Sequence, residues 1–95
     1  MTEKDLQKKV VKYLKSIPDC FTTVITPGPY GKKGISDLLI CYKGRFIAIE
    51  LKIKRNKPTA LQTAYLDNVE GAGGEAYVCF CLDDVKEIFE MREVK

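Results

Sequence analysis

Residues 37–53 read DLLICYKGRFIAIELKI, and this stretch decides the fold of the chain. Two runs rich in β-branched and aromatic residues, 37–42 and 45–53, flank the dipeptide Lys43-Gly44. A lysine-glycine pair between two such runs predicts a tight hairpin turn, because glycine adopts the positive φ that the turn requires. We therefore expect two antiparallel strands joined by two residues.

The turn also predicts the register of the hairpin. Counting back from it pairs Ile40 with Ile47 and Asp37 with Glu50. A slip of one residue would exchange the two faces of the sheet, so the apolar pattern supports this register. Directly paired side chains have Cβ atoms about 5 Å apart. Lys52 points to the same side as Glu50, since side chains alternate along a strand.

Two neighbouring carboxylates and a lysine form a candidate catalytic cluster. The carboxylates of Asp37 and Glu50 repel each other unless a cation neutralises them, and oxygen ligands without histidine or thiolate favour Mg²⁺, with Mn²⁺ as a substitute. Lys52 can then orient or deprotonate an attacking water and stabilise negative charge on a phosphoryl group. The alternative is a solvent-facing strand on which Glu50 and Lys52 form a weak surface ion pair. The pattern alone leaves both interpretations open.

On the N-terminal side of the hairpin, the pattern predicts a helix, a strand and a loop. Apolar residues recur with helical spacing from Leu6 to Ile17, after a helix start at Thr2. Residues 21–26 are β-branched and aromatic, which indicates a strand. Residues 27–34, PGPYGKKG, form a loop because proline and glycine dominate them.

On the C-terminal side, the pattern predicts a helix, a strand and a last helix. The first of these begins at Thr59 and stops at Gly71. The run 76–81 is continuously apolar, so we expect a strand buried on both faces. Asp83 is expected to cap the last helix. The predicted fold is therefore an α/β sandwich in the order α-β-β-β-α-β-α, with a mixed sheet flanked by helices.

The first helix carries two polar residues on its apolar side. At about 100° per residue, Glu3 and Gln7 fall in the sector of Val10 and Leu14. The opposite side carries four lysines, namely Lys4, Lys8, Lys12 and Lys15. A carboxylate on the apolar side needs a partner, which makes Glu3 a candidate site residue. The alternative is that Glu3 lies in the first helical turn because the helix dipole favours it there.

Gln62 also has two interpretations. It lies among the apolar residues Tyr65, Leu66 and Val69 on the core side of its helix, where a polar side chain can serve a site. It is equally the third residue after Thr59, the position of a capping-box glutamine.

Composition permits an anionic partner without establishing one. The 95 residues carry a formal net charge of +3, and their number allows one domain covering residues 1–95. No segment has the length and apolarity of a membrane helix or a signal peptide, so we expect a cytoplasmic protein without membrane contact. Without histidine or a C-x-x-C motif, the cysteines are expected to be buried free thiols: Cys20, Cys41, Cys79 and Cys81.

Four short motifs occur in a fixed order along the chain: Glu3, then Gly34-Ile35-Ser36-Asp37, then Glu50-Leu51-Lys52, then Thr59-x-x-Gln62. Together they resemble the virus-type replication-repair nuclease (VRR-NUC) domain of the PD-(D/E)XK superfamily. The resemblance covers nearly the whole chain. It departs from the family at Ser36, where a proline usually precedes the aspartate. The stand-alone phage and bacterial members resemble Holliday junction resolvases that act as homodimers on branched DNA.

The resemblance implies a restriction-endonuclease-like core and a metal-dependent phosphodiesterase. It implies that Asp37, Glu50 and the Leu51 carbonyl hold Mg²⁺ and that Glu3 contributes to this metal site. It further implies that Lys52 serves the nucleophilic water and that Gln62 supports the lysine or the scissile phosphate. No organic cofactor is expected.

Basic residues flank the predicted site. We expect DNA contacts from Gln7 and from five flanking cations, Lys32, Lys33, Lys54, Arg55 and Lys57. No base-reading helix is evident, so contacts to backbone and shape are expected. The predicted function is a Mg²⁺-dependent DNA endonuclease acting as a homodimer on branched DNA in replication, recombination or repair. The alternatives are a non-catalytic nucleic-acid-binding module on the same scaffold and a structural subunit of a larger assembly.

Overall fold

The computed structural model of the chain describes residues 1–25, 34–54 and 56–93. Helices and strands follow one another in the predicted order α-β-β-β-α-β-α. Their bounds are α1 Glu3–Lys15, β1 Cys20–Val24, β2 Leu38–Tyr42, β3 Arg45–Leu51, α2 Ala60–Gly71, β4 Glu75–Cys79 and α3 Leu82–Glu93. Most of the predicted loop, 26–33, lies outside the described residues.

The four strands form one mixed sheet in the order β1-β2-β3-β4. The β1–β2 and β2–β3 pairs are antiparallel, and β3 and β4 are parallel. Ile40 pairs with Ile47 in the hairpin, as the sequence predicts. Lys43 and Gly44 have φ values of 51° and 81°, so both turn residues are left-handed, as in the favoured two-residue hairpin turn. The predicted hairpin and its register are confirmed.

The main core lies between α1, α3 and one face of the sheet. It consists of buried residues from these elements: Leu6, Val10 and Leu14 of α1, Leu38, Ile40 and Tyr42 of β2, Ile47, Ile49 and Leu51 of β3, Cys79 of β4, and Val85, Ile88 and Phe89 of α3. The rings of Tyr42 and Phe89 pack edge to face, with centroids 5.1 Å apart and planes at 82°. On β2 and β3, these residues alternate with side chains that point to the opposite face of the sheet.

The first helix begins where the sequence predicts. Thr2 Oγ1 accepts a hydrogen bond from the Asp5 amide, and Asp5 Oδ2 accepts one from the Thr2 amide, both at 3.1 Å. This reciprocal capping box satisfies two amides of the first turn. Within the part of the chain that the structure describes, no helix is long and apolar enough to cross a membrane.

Three predictions were wrong: the full burial of the last strand, the capping of α3 by Asp83, and the burial of all four cysteines. β4 covers Glu75–Cys79, and only Cys79 is buried, because β4 is the edge strand of the sheet. Asp83 does not cap α3, which begins at Leu82; instead Asp84 Oδ2 accepts a hydrogen bond of 2.8 Å from the Phe80 amide. All cysteines are free, but exposure varies among them: Cys79 is buried, Cys20 is half-buried, and Cys41 and Cys81 are exposed.

Candidate active site

Asp37 directly precedes β2 and is tied to the neighbouring strands on both sides. Its carboxylate Oδ2 accepts a hydrogen bond of 2.8 Å from the Leu51 amide of β3. Its backbone carbonyl accepts one of 2.9 Å from the Ile25 amide, just after β1. The Asp37 side chain therefore contacts the end of β3 at Leu51, the residue between Glu50 and Lys52. Its position follows from the hairpin register.

Glu50 is the one buried carboxylate among the described residues, with 1% of its surface exposed. Its neighbours Ile49 and Leu51 point into the core beneath α1 and α3. Because side chains alternate along a strand, Glu50 points to the other face, where it meets α2. A carboxylate in this position is costly unless it has partners.

One oxygen of Glu50 has partners and the other has none. Oε2 accepts a hydrogen bond of 2.9 Å from Gln62 Nε2 and lies 3.5 Å from Lys52 Nζ. Oε1 is buried and has no hydrogen-bond partner among the described residues. The Lys52 side chain is only 13% exposed, so this ion pair is better shielded than one on the surface. The surface-pair alternative is therefore wrong for Glu50 and Lys52.

The electrostatics of Glu50 and Asp37 favour an added positive charge near their carboxylates. Burial and, next, the negative charge of Asp37 raise the pKa of Glu50 from 4.5 to about 7, although Lys52 acts in the opposite direction. Asp37 therefore acts on Glu50 as a close like charge. A divalent cation between the two carboxylates would relieve this repulsion.

The residues present fit a hard divalent ion. The unpaired Oε1 of Glu50 and the carboxylate of Asp37 are oxygen donors, the type that Mg²⁺ prefers. Within residues 1–25, 34–54 and 56–93, no three acidic, cysteine or histidine side chains form a group that could hold a metal. Glu3 is thus not brought into a carboxylate cluster with Asp37 and Glu50. Its role and that of the Leu51 carbonyl stay predictions.

Gln62 caps α2 and also contacts Glu50, while its predicted support of Lys52 or the scissile phosphate stays a prediction. Its Oε1 accepts a hydrogen bond of 2.8 Å from the Thr59 amide, and its own amide donates one of 3.2 Å to Thr59 Oγ1. This is a complete capping box at the start of α2. The Nε2 end of the same side chain donates to Glu50. The two interpretations are compatible because an amide has an acceptor at one corner and a donor at the other.

Comparisons with known proteins identify the fold. A scan of protein-family models and a search of curated proteins found no match. A solved structure described as a VRR_NUC domain is similar over 95% of this chain and 97% of its own, with a TM-score of 0.78 and 19% identity. The chain has the fold of this VRR_NUC domain. Archaeoglobus fulgidus Hjc, described as a Holliday junction resolvase, is also similar, over 82% of this chain and 67% of its own, with a TM-score of 0.62 and 17% identity.

Gly34 has a role in this VRR-NUC fold that the sequence did not reveal. Its φ is +89°, and a Cβ atom there would lie 2.7 Å from the Cβ and 2.9 Å from the carbonyl of Leu61, in the first turn of α2. Only glycine fits this contact. The segment before Asp37 is thereby packed against the same helix turn that carries Gln62. The signal was a glycine three residues before the aspartate, which needs a structure to be interpreted.

The other predicted residues that the structure describes lie on α1 and on the connection after β3. Glu3 and Gln7 are half-buried on α1. Lys54 and Lys57 are exposed on the connection between β3 and α2. The predicted DNA contacts of Lys32, Lys33 and Arg55 lie outside the described residues. Ser36, at the position where the family usually has proline, is buried, and its hydroxyl donates a hydrogen bond of 3.4 Å to the Leu38 carbonyl.

Proposed function

We propose that this chain is a Mg²⁺-dependent endodeoxyribonuclease that hydrolyses phosphodiester bonds. The observation that carries the proposal is the buried Glu50: its Oε1 has no hydrogen-bond partner among the described residues, and the negative charge of Asp37 acts on its carboxylate. Carboxylates whose pKa is shifted by burial and by a neighbouring like charge cluster at functional sites. The VRR-NUC fold and its likeness to a resolvase support the same activity.

The residues of the site have separate tasks. Asp37 and Glu50, with the Leu51 carbonyl, would hold Mg²⁺, which when bound polarises a phosphoryl oxygen and lowers the pKa of a water. Gln62 holds Oε2 of Glu50 and so leaves Oε1 free to face the ion. Lys52 Nζ lies 3.5 Å from the same oxygen, Oε2 of Glu50. Its ammonium group orients the attacking water and stabilises the negative charge that grows on the phosphate.

Branched DNA is the substrate that we propose. The Archaeoglobus protein is described as a Holliday junction resolvase, and its likeness covers most of this chain. Cations follow the site along the connection to α2, where Lys54 and Lys57 are exposed. Lysines bind phosphates irrespective of sequence, so selection by DNA structure is expected rather than selection by base.

Cleavage assays test the proposal against its alternatives. The chain is incubated with a four-way junction, a flap, a hairpin and a linear duplex, in Mg²⁺ and in EDTA. We expect Mg²⁺-dependent cleavage that falls at least about 100-fold in Lys52→Ala and in Asp37→Asn. Lys9→Ala is the matched control, since it removes an exposed lysine of α1 that is not one of the predicted site residues.

The alternatives give different results in the same assay. A non-catalytic DNA-binding module would bind these DNAs without turnover, and its binding would not change in Asp37→Asn. A structural subunit would not bind DNA at all. Absence of cleavage on every substrate, or cleavage that survives Lys52→Ala, would show that the proposal is wrong.

We also propose that the active form is a homodimer. The chain offers one such site in its described residues, and symmetric cutting of two strands needs two. A row of exposed side chains crosses three strands on the sheet face that carries Glu50: Phe21 of β1 pairs with Cys41 of β2, which pairs with Phe46 of β3. Phe21 is 72% exposed and Phe46 is 45% exposed. Such a row fits contact with a second copy better than contact with water.

Light scattering tests the dimer. We expect twice the chain mass for the natural sequence and the chain mass for Phe21→Asp, with cleavage of junctions reduced. Phe80→Asp is the control, because Phe80 is 44% exposed but lies after β4, outside the row. A monomer for the natural sequence, with and without DNA, would contradict the dimer.

A further inference from the structure

A basic groove runs along the solvent side of α1. Four lysines, together with Gln7, Val11 and Val24, line an open groove of about 410 Å³: Lys4, Lys8, Lys12 and Lys15. All four lysines are exposed. We call these seven residues the α1 groove. None of its lysines belongs to the site described above.

The lysines of the α1 groove form no close ion pair within the described residues. None of them forms a salt bridge or a cation–π contact there. Asp5 on α1 makes its hydrogen bonds with Thr2 in the capping box, and Lys8 adds to the effect of these bonds in lowering the pKa of Asp5. Like charges on one side of a helix repel each other. A polyanion would therefore gain more from this groove than a neutral ligand.

The helix dipole does not account for these lysines. It favours Lys12 and Lys15 in the last turn but disfavours Lys4 in the first turn. Lys8, in the middle of the helix, gains nothing from the dipole. The dipole therefore does not explain a row that continues over the whole helix.

The dimensions of the row match a nucleic-acid strand. Lys4 and Lys15 are separated along the helix axis by roughly 16 Å, at about 1.5 Å per residue. One DNA strand presents a phosphate about every 3.4 Å of helix axis, so the row spans about five nucleotides.

The backbone on one side of the α1 groove is joined to Asp37. Val24, which lines the groove, pairs with Leu38 at the start of β2. The next residue, Ile25, donates its amide to the carbonyl of Asp37 at 2.9 Å. The groove is therefore connected to Asp37 through the adjoining ends of β1 and β2, while the Asp37 side chain is directed to the end of β3.

We propose that the α1 groove binds the phosphate backbone of a DNA arm adjacent to the cleaved bond. This inference rests on the proposed function, because it takes DNA as the substrate. It adds a second contact surface to the cations that follow Lys52. Each lysine in the groove contacts phosphate and reads no base, so binding there depends strongly on salt.

Salt-dependent binding of the full chain tests the proposal. The anisotropy of a fluorescein-labelled four-way junction is measured in EDTA, so that no hydrolysis occurs, over a series of salt concentrations. Lys8→Gln, Lys12→Gln and the double variant are compared with Lys9→Gln. Lys9 is the matched control because it follows Lys8 on the same helix, is exposed, and lies about 100° away from it around the axis, outside the groove.

The slope of log K against log salt gives the result. Each lost phosphate contact lowers its magnitude by about 0.9, so we expect a fall of about 0.9 for each single variant and about 1.8 for the double variant. Lys9→Gln, which removes the same charge, should leave the slope unchanged. Equal slopes for Lys8→Gln and Lys9→Gln would overturn the proposal. That result is expected if the groove lysines only contact water, and also if they bind an acidic protein instead of DNA. So would failure of the natural sequence to bind the junction.

Cleavage in Mg²⁺, measured in parallel, separates this proposal from the proposed function. A slope that falls in Lys8→Gln without any cleavage by the natural sequence supports the α1 groove and contradicts the nuclease. Cleavage by the natural sequence with equal slopes in all variants supports the nuclease and contradicts the groove.

Discussion

Gln62 donates a hydrogen bond of 2.9 Å from Nε2 to Oε2 of Glu50. The other end of the same amide accepts from the Thr59 amide at 2.8 Å. The start of α2 and the buried carboxylate are thus joined by one side chain. Because the Thr59 amide accepts nothing and only donates, it fixes which corner of the Gln62 amide faces Glu50.

This relationship predicts different effects for two variants that both weaken the cap of α2. Thr59→Ala removes the hydroxyl that accepts from the Gln62 amide, but it keeps the backbone donor. Gln62→Ala removes the donor to Glu50 as well. We expect each to lower the free energy of unfolding by about 1 kcal/mol, measured by urea denaturation. Only Gln62→Ala should reduce cleavage, by at least about tenfold. Equal loss of cleavage in both variants would show that Gln62 acts through the helix alone.

The raised pKa of Glu50 predicts how stability depends on pH without metal. Its pKa rises from an ordinary 4.5 to about 7 in the folded chain, first because of burial and then because of Asp37. Between these values the folded chain keeps a proton that the unfolded chain has lost, so stability falls as pH rises from about 4.5 to about 7.

Thermal denaturation in EDTA checks this dependence. The melting temperature of the natural sequence should fall by roughly 5–10 °C across that pH range relative to Glu50→Gln, which cannot titrate. Parallel curves for the two proteins would contradict the assigned titration.

Metal binding should reverse this loss of stability. Glu50 must be deprotonated to hold Mg²⁺, so Mg²⁺ should raise the melting temperature more at pH 8 than at pH 6. Asp37→Asn should lose most of the shift, since it removes one of the two carboxylates. Asp67→Asn, which changes an exposed acid on α2, is the control. A Mg²⁺ shift of the same size in Asp37→Asn would place the ion elsewhere.

The contact of Gly34 with Leu61 predicts that replacing Gly34 by alanine lowers the free energy of unfolding more than the same replacement at Gly44 in the hairpin turn. Gly34 and Gly44 have similar φ values, +89° and +81°, but only Gly34 has atoms within 4 Å of where a Cβ would lie. Gly44→Ala should therefore cost about 1 kcal/mol for the strained φ alone. Gly34→Ala should cost about 1–3 kcal/mol more and should also reduce cleavage, because it displaces the segment before Asp37. Equal unfolding free energies for the two variants would contradict a tight contact.

Much of the fold could be predicted because local rules determine it. The hairpin turn sets the register of Asp37 and Glu50, and the capping residues Thr2 and Thr59 mark two helix starts. These features depend on residues within a few positions of one another or on strand alternation. The residues of the proposed site could be named for the same reason.

The remaining features depend on tertiary contacts that a pattern does not contain. The apolar run after Gly74 looks fully buried, but β4 lies at the sheet edge, which only the strand order reveals. Similarly, the hydrogen bond from the Leu51 amide to Asp37 needs the actual path of the chain before β2. The contact between Gly34 and Leu61 joins two segments whose approach no local rule specifies.

The hydrogen bond between Asp37 and Leu51 joins residues only 14 positions apart. A hairpin of this length closes within about 1–10 μs, well before distant segments meet. We therefore expect the two acids to become neighbours early during folding, while α2 has yet to cover them. Mg²⁺ that is present at that stage would bind carboxylates that are still exposed to water. We therefore expect Mg²⁺ to accelerate the late docking of α2 rather than the first collapse of the chain.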